Sequence, residues 1–283
     1  MSDSENTGAR QHDLPLKKRL RTVFIGWGAI NTRVGALLAQ RNSAVEIVGV
    51  AAIDTPENRA SIPRGAQFLT SPSGLSDLRP DLVIEAAGRA AIDIWAEAAL
   101  GAAPAMIIAS TSAFCDDALL ARLTAVAEAH RSRILIPSGA IGAVDALAGA
   151  AVLGLDEVTH QIIKPPVAWK GTPAEKLLNL PGLSERTVFF SGSAREAASL
   201  YPQNANATVV TALAGVGLDQ TRVEMVADPA VRINGHRIMA RGAFGRLEIV
   251  LENNPLATNP KSSELTALSL VRLIEQQTNA IVI

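Results

Sequence analysis

The sequence predicts an α/β chain in two parts: a parallel sheet wound with helices, then a mixed α/β region built on an open, mostly antiparallel sheet. Hydrophobic residues make up 48% of the chain but aromatic residues only 4%, so the apolar mass is Ala, Val, Leu and Ile, which suits parallel strands covered by helices. Short apolar runs alternate with helical periodicity in the first half. In the second half the runs continue without regular helices between them. The 283 residues suffice for two domains.

Taken in order, residues 1–20 are polar and basic and are expected to form a flexible tail. No apolar leader core precedes the basic residues, so the cytoplasm is the expected compartment. The first strand is expected at 22–25 (TVFI), stopping at Gly26. A helix follows, with Ile30, Val34, Leu37 and Leu38 on one face. The next strand spans 45–53 and ends at Asp54. Strands at 81–85 (DLVIE), 105–109 (AMIIA) and 133–136 (RILI) are separated by helices at 92–100 and 118–130. Such alternation means βαβ units joined by right-handed crossovers. The pattern changes across 138–145 (SGAIGAVD). Strands are then expected at 159–163, 187–191, 222–227, 236–242 and 247–251, with a helix at 207–214. Asn234-Gly235 signals a two-residue hairpin turn. A last helix at 264–275 offers Leu265, Leu268, Val271 and Leu273 for burial against the first domain. The expected division is 21–143, then 144–260, with the returning helix in 261–283.

Charge and cysteine content narrow the partners. Lys plus Arg (26) nearly balance Asp plus Glu (27), leaving no net field to draw nucleic acid or a membrane surface. The single cysteine, Cys115, excludes an intramolecular disulfide and a cysteine-built zinc site. Apolar stretches are broken by Gly, Pro or charge before reaching membrane-spanning length. No metal is expected.

Gly26-Trp27-Gly28-Ala29-Ile30-Asn31 lies between the first strand and the first helix, where a Rossmann dinucleotide-binding turn belongs. Gly26 serves the tight turn. Gly28 lets backbone approach a pyrophosphate, which then rests on the helix start at Ala29 and Ile30. Asn31 stands where the fingerprint has its third glycine, a position that mainly serves close helix–strand packing. Asp54, closing the second strand, is either the acid that holds a ribose 2′-hydroxyl or a capping aspartate before Pro56. Arg59 and Arg64 offer partners for a 2′-phosphate, so NAD and NADP both stay open. A second small-residue turn, with Ala87 and Gly88, follows the 81–85 strand and is expected to line the cofactor cleft.

Histidine is the usual acid–base group near neutral pH. His12 lies in the tail and His130 ends a helix. The residues alone place His160 in the core and His236 on an exposed strand beside the hairpin turn. Cys115 precedes Asp116 and Asp117, two acids that would raise a thiol pKa; a nucleophilic Cys115 would mark a semialdehyde dehydrogenase. Proline-stiffened loops carrying Lys164, Asn204, Lys261 and Ser262 suit an anionic substrate, and equally suit ordinary turns.

SGAIGAVDAL (138–147), KPPVAWKGTPAE (164–175), YPQNANATVVTALAGVGLDQTRVEMVADP (201–229), NGHRI (234–238), GAFG (242–245) and NPKSSELTALS (259–269) together resemble the L-aspartate dehydrogenase family, over nearly the whole chain beyond the tail. The resemblance implies NAD(P)-dependent interconversion of L-aspartate with iminoaspartate, which yields oxaloacetate and ammonia or feeds NAD synthesis. It implies an active-site role for His236, cofactor contacts at Ala140 and Asn206, and a homodimer. It also implies a Rossmann domain joined to a mixed α/β domain, as in dihydrodipicolinate reductase-like enzymes. Another dehydrogenase or reductase of this architecture, and a dinucleotide-binding redox sensor without acid–base chemistry, are the competing readings.

Overall fold

The computed structural model describes residues 19–283. The tail expected at 1–20 lies outside those residues except for Arg19 and Leu20, and Leu20 already opens a strand. The first half runs β1 (Leu20–Ile25), α1 (Ala29–Gln40), β2 (Val45–Ala51), α2 (Pro56–Ser61), β3 (Gln67–Leu69), β4 (Leu82–Glu85), α3 (Arg89–Ala102), β5 (Ala105–Ile108), α4 (Asp117–His130) and β6 (Arg133–Leu135). Its six strands are all parallel, in the order β3-β2-β1-β4-β5-β6. The order reverses between β1 and β4, so a crevice opens beyond their carboxyl ends, where doubly wound sheets bind ligands.

Both faces of this sheet are covered, which explains the near-continuous apolar runs. Val23 and Ile25 pack with α3 and α4 on one side, while Phe24 packs with Val34 and Leu38 of α1 on the other. The second strand stops at Ala51, short of the expected residue 53. Its neighbours end there too, with Ala51 opposite Ile25 and Leu69, and Ile53 is 80% exposed.

The second half runs α5 (Val144–Ala151), β7 (Leu155–Lys164), α6 (Ala174–Leu177), β8 (Thr187–Ser193), α7 (Ala194–Leu200), α8 (Ala205–Ala214), β9 (Arg222–Ala227), β10 (Asn234–Gly242), β11 (Gly245–Asn253), β12 (Pro255–Leu256), β13 (Asn259–Ser263) and α9 (Glu264–Glu275). Five strands form an open sheet, β11-β10-β7-β9-β8, antiparallel except between β7 and β9. Helix α9 returns to the first sheet, where Ala267, Leu270, Val271 and Ile274 join the core of Phe24 and α1.

Three expectations are corrected. Asn234-Gly235 opens β10 instead of turning a hairpin; the turn is Ala243-Phe244, between the paired Gly242 and Gly245. A Cβ on Gly235 would lie 3.0 Å from the Leu251 carbonyl oxygen, so this glycine serves close strand approach. Residues 259–263 form a strand of a two-stranded ribbon instead of a loop. On α9 the buried face is set by Ala267, Leu270, Val271 and Ile274, leaving Leu268 44% exposed. Among the described residues, no helix is long and apolar enough to cross a membrane.

Candidate functional site

The glycine turn at the crevice is built by close backbone approach. Gly26 has φ +85°, and a Cβ there would lie 2.7 Å from the Cβ of Ala87, so only glycine lets the turns after β1 and β4 pass each other. Gly28 is the opposite case: it has an ordinary φ of −84° and caps α1 with no side-chain hydrogen bond. A Cβ on it would meet nothing within 4 Å. The backbone N–H groups at the start of α1 therefore face open space, the arrangement that binds a phosphate. Asn31 is fully buried and donates from Nδ2 to the carbonyls of Ile25 (3.1 Å) and Gly26 (2.8 Å). It stitches strand to helix by hydrogen bonds where a glycine would do so by bare contact.

The facing turn is organised by Glu85, which the sequence marked only as a strand end. Its fully buried carboxylate accepts from the Ala87 N–H (2.6 Å), the Gly88 N–H (3.0 Å), the Ser110 hydroxyl (2.7 Å) and the Ser110 N–H (3.1 Å). That pattern fixes Ala87 and Gly88 against the loop after β5. Asn206, near the start of α8, accepts at Oδ1 from the Ser112 N–H (2.9 Å) and at its carbonyl from Thr111 (3.0 Å). Its amide oxygen is thereby committed to the loop, leaving Nδ2 for a ligand.

Between the two sheets lies a cavity of about 320 Å³. Ile30, Gly88 and Ala140 line it together with His236, Lys164, Asn204 and Asn206, and with Lys261 and Ser262 of β13. Asn253 donates to the Ala140 carbonyl (2.6 Å) and Ser269 of α9 accepts from the Gly139 N–H (3.1 Å), so residues of the second half hold this segment in place. Gly26, Gly28, Ala29 and Ala87 do not line the cavity. Gly28 and Ala87 lie exposed along the crevice. Asp54 is also outside it, ion-paired with Arg59 at 2.6 Å, and that guanidinium holds its carboxyl below the usual range. Thr55, and not Asp54, caps α2.

Strand register places the histidines. His236 lies opposite Ile162 and Ile238 opposite His160, so the two imidazoles are diagonal neighbours on the covered face of the sheet. His236 is 8% exposed, not the exposed strand residue anticipated, and its Nδ1 lies 2.9 Å from Nε2 of the fully buried His160. Lys164 follows two residues after Ile162 on the same face, its Nζ 4.9 Å above the Trp169 ring. Burial pushes the Lys164 pKa down to about 8. Burial, and then the charge of Lys164, push His236 down to about 4. At neutral pH the cleft thus presents a neutral imidazole beside a cation. Cys115 lies away from this cavity, and burial more than its neighbouring acids raises its thiol pKa. Among the described residues, no group of three or more His, Cys, Asp or Glu is placed to hold a metal.

Comparison with known proteins bears on this two-sheet cleft. Residues 145–277 match the family model described as aspartate dehydrogenase, C-terminal, and residues 26–137 match that described as homoserine dehydrogenase, NAD binding domain. A Brucella anthropi protein named L-aspartate dehydrogenase is 51% identical over 92% of this chain and 97% of its own length. The chain belongs to the L-aspartate dehydrogenase family. A relative of the same name from Cupriavidus taiwanensis is 42% identical over 93% of this chain and 99% of its own length. The crystal structure of aspartate dehydrogenase from Thermotoga maritima superposes with a TM-score of 0.75 at 28% identity, covering 94% of this chain and 99% of that one. A hyperthermophilic archaeal homoserine dehydrogenase solved with NADPH shares the fold, with a TM-score of 0.57 at 10% identity, over 91% of this chain and 97% of that one.

Proposed function

We propose that this chain is an NAD(P)-dependent L-aspartate dehydrogenase, interconverting L-aspartate with iminoaspartate and hence with oxaloacetate and ammonia. The observation that carries the reading is the pairing of a buried neutral imidazole with a half-buried cation in one cleft, at the end of a dinucleotide crevice. The open helix start at Gly28, Ala29 and Ile30 suits the pyrophosphate, and Gly88, Ala140 and Asn206 suit the nicotinamide end. When bound, the nicotinamide accepts or supplies the hydride at its ring C4.

The residues do the rest. Before hydride can leave the α-carbon, the substrate ammonium must lose a proton; His236 accepts it and releases it to solvent through the cleft once the hydride has left. The imidazole, bare again, takes a proton from the water that adds to the iminium carbon, and returns that proton to the amine nitrogen as ammonia departs. Lys164 opposes protonation of His236. A substrate carboxylate drawn to Lys164 offsets that cation and raises the proton affinity of the imidazole. Asn204, Lys261 and Ser262 supply donors for the second carboxylate. Asp54, at the end of the crevice away from the cleft, holds the ribose hydroxyls of NAD, while Arg59 stands ready for a 2′-phosphate of NADP. A homodimer, a cytoplasmic setting and a role in NAD synthesis complete the proposal; they rest on the resemblance, and the single cysteine suits a reducing compartment.

The test is the fall in absorbance at 340 nm with ammonia and NADH or NADPH, set against a panel of oxo acids. Oxaloacetate is expected to be preferred over pyruvate, which lacks the second carboxylate; equal rates would overturn the reading. Lys164→Met keeps the apolar stem but removes the charge. It is expected to raise KM for oxaloacetate by about 10–100-fold, the scale of a hydrogen bond to a charged group. Its melting temperature should rise, because a desolvated cation is gone. An unchanged KM would take Lys164 out of the substrate site.

A further inference from the structure

The buried polar groups behind His236 form a chain with a direction. Thr211 on α8 has one hydroxyl proton and two neighbours: the Ala207 carbonyl at 3.1 Å and Nδ1 of His160 at 2.9 Å. A carbonyl only accepts, so the one arrangement in which both contacts are hydrogen bonds gives the hydroxyl proton to Ala207. The Thr211 oxygen must then accept from His160, which places the His160 proton on Nδ1 and leaves its Nε2 bare. That nitrogen lies 2.9 Å from Nδ1 of His236 and in turn accepts the His236 proton. His236 is left with an unprotonated Nε2, the one ring nitrogen not spent on the chain, in a side chain that lines the cavity.

We propose that His160 and Thr211 are positioning residues which fix His236 in the tautomer that offers a bare Nε2 to the substrate; this rests on the reading of His236 as the acid–base group. The chain ends on a helix carbonyl, so it carries no proton away. Its work is to choose which nitrogen of His236 reacts. Thr211, His160 and the base of the site are fully or almost fully buried, with 0%, 0% and 8% exposure, so no water competes for these bonds. Burial and the neighbouring His236 hold His160 well below its ordinary pKa, and it stays neutral while its partner takes and returns a proton. Thr211 falls within the 201–229 stretch, but nothing in that stretch pairs it with His160; the packing of α8 on β7 does so.

Long-range nitrogen–carbon NMR on histidine-labelled protein reads the tautomer without turnover, the His236 signals being assigned by their loss in His236→Asn. Wild type is expected to show Nδ1 protonated and Nε2 bare. Thr211→Val removes the acceptor for the His160 Nδ1 proton, and a buried N–H without a partner is costly. His160 should then carry its proton on Nε2 and donate to His236, moving the His236 proton to its Nε2. The expected result is an inverted tautomer and kcat lowered by about 10²-fold, as for removal of a positioned acid–base group, with KM for oxaloacetate and nucleotide affinity near wild type. Thr211→Ser restores both. An Nε2-protonated His236 in wild type, or a Thr211→Val protein with unaltered tautomer, overturns the proposal. An inverted tautomer with unchanged kcat would instead overturn the base role of His236, leaving the control of its tautomer standing.

Discussion

His236→Ala is expected to lower kcat by about 10²–10⁴-fold, the range for loss of a positioned acid–base group. Nucleotide affinity should hardly change, because in the proposed mechanism the imidazole serves the substrate and makes none of the proposed contacts to the cofactor. Stability should fall as well. His236 is buried, and its removal leaves Nε2 of His160 without a donor, a loss of about 1–3 kcal/mol. His236→Asn separates the two effects. The asparagine amide can donate to His160 as Nδ1–H does, so the melting temperature recovers while turnover stays low. Wild-type turnover in either variant would remove His236 from the chemistry.

Gly28→Val is expected to abolish nucleotide binding while leaving the fold intact. The φ of −84° is ordinary for any residue, and no protein atom lies within 4 Å of the added Cβ. The side chain would instead fill the space through which a pyrophosphate approaches the start of α1. Gly26→Ala should behave in the opposite way. Its φ of +85° and the Ala87 Cβ at 2.7 Å make the change a structural one, costing a few kcal/mol through strain and overlap. Nucleotide fluorescence titration and thermal melting distinguish them. Wild-type affinity in Gly28→Val would take the glycine turn out of the cofactor site.

The parts of the molecule legible from sequence are those governed by local rules. β1, the turn at Gly26 and α1 could be read because a β-branched run, two glycines and a helical period follow one another. The bounds of α9 could be read for similar reasons, Ser263 capping it and Glu264 opening it. The capping box of Ser193 and Glu196 was also there to be read and would have announced α7. What escaped were matters of pairing. Asn234-Gly235 resembles a hairpin turn locally, but strand register puts the turn at Ala243-Phe244. That correction moves His236 from an exposed strand position beside a turn into a buried row beside His160. The alternation within each strand shows which residues share a face, and does not show which strands are neighbours. Glu85 was hidden for another reason: a buried carboxylate is tolerable only with several donors, and three of its four are backbone N–H groups without sequence identity, the fourth being the Ser110 hydroxyl.

The central claim is that the cleft brings nicotinamide C4 and the α-carbon of a four-carbon amino acid together beside His236. Reductive amination of oxaloacetate with nicotinamide dinucleotide deuterated at C4 tests it most directly, with the product examined by mass spectrometry and proton NMR. One face of C4 is expected to deliver its deuterium, and the label should appear at the α-carbon of L-aspartate and nowhere else. Product without label from either C4-deuterated face, or label lost to water, would contradict direct transfer in this cleft.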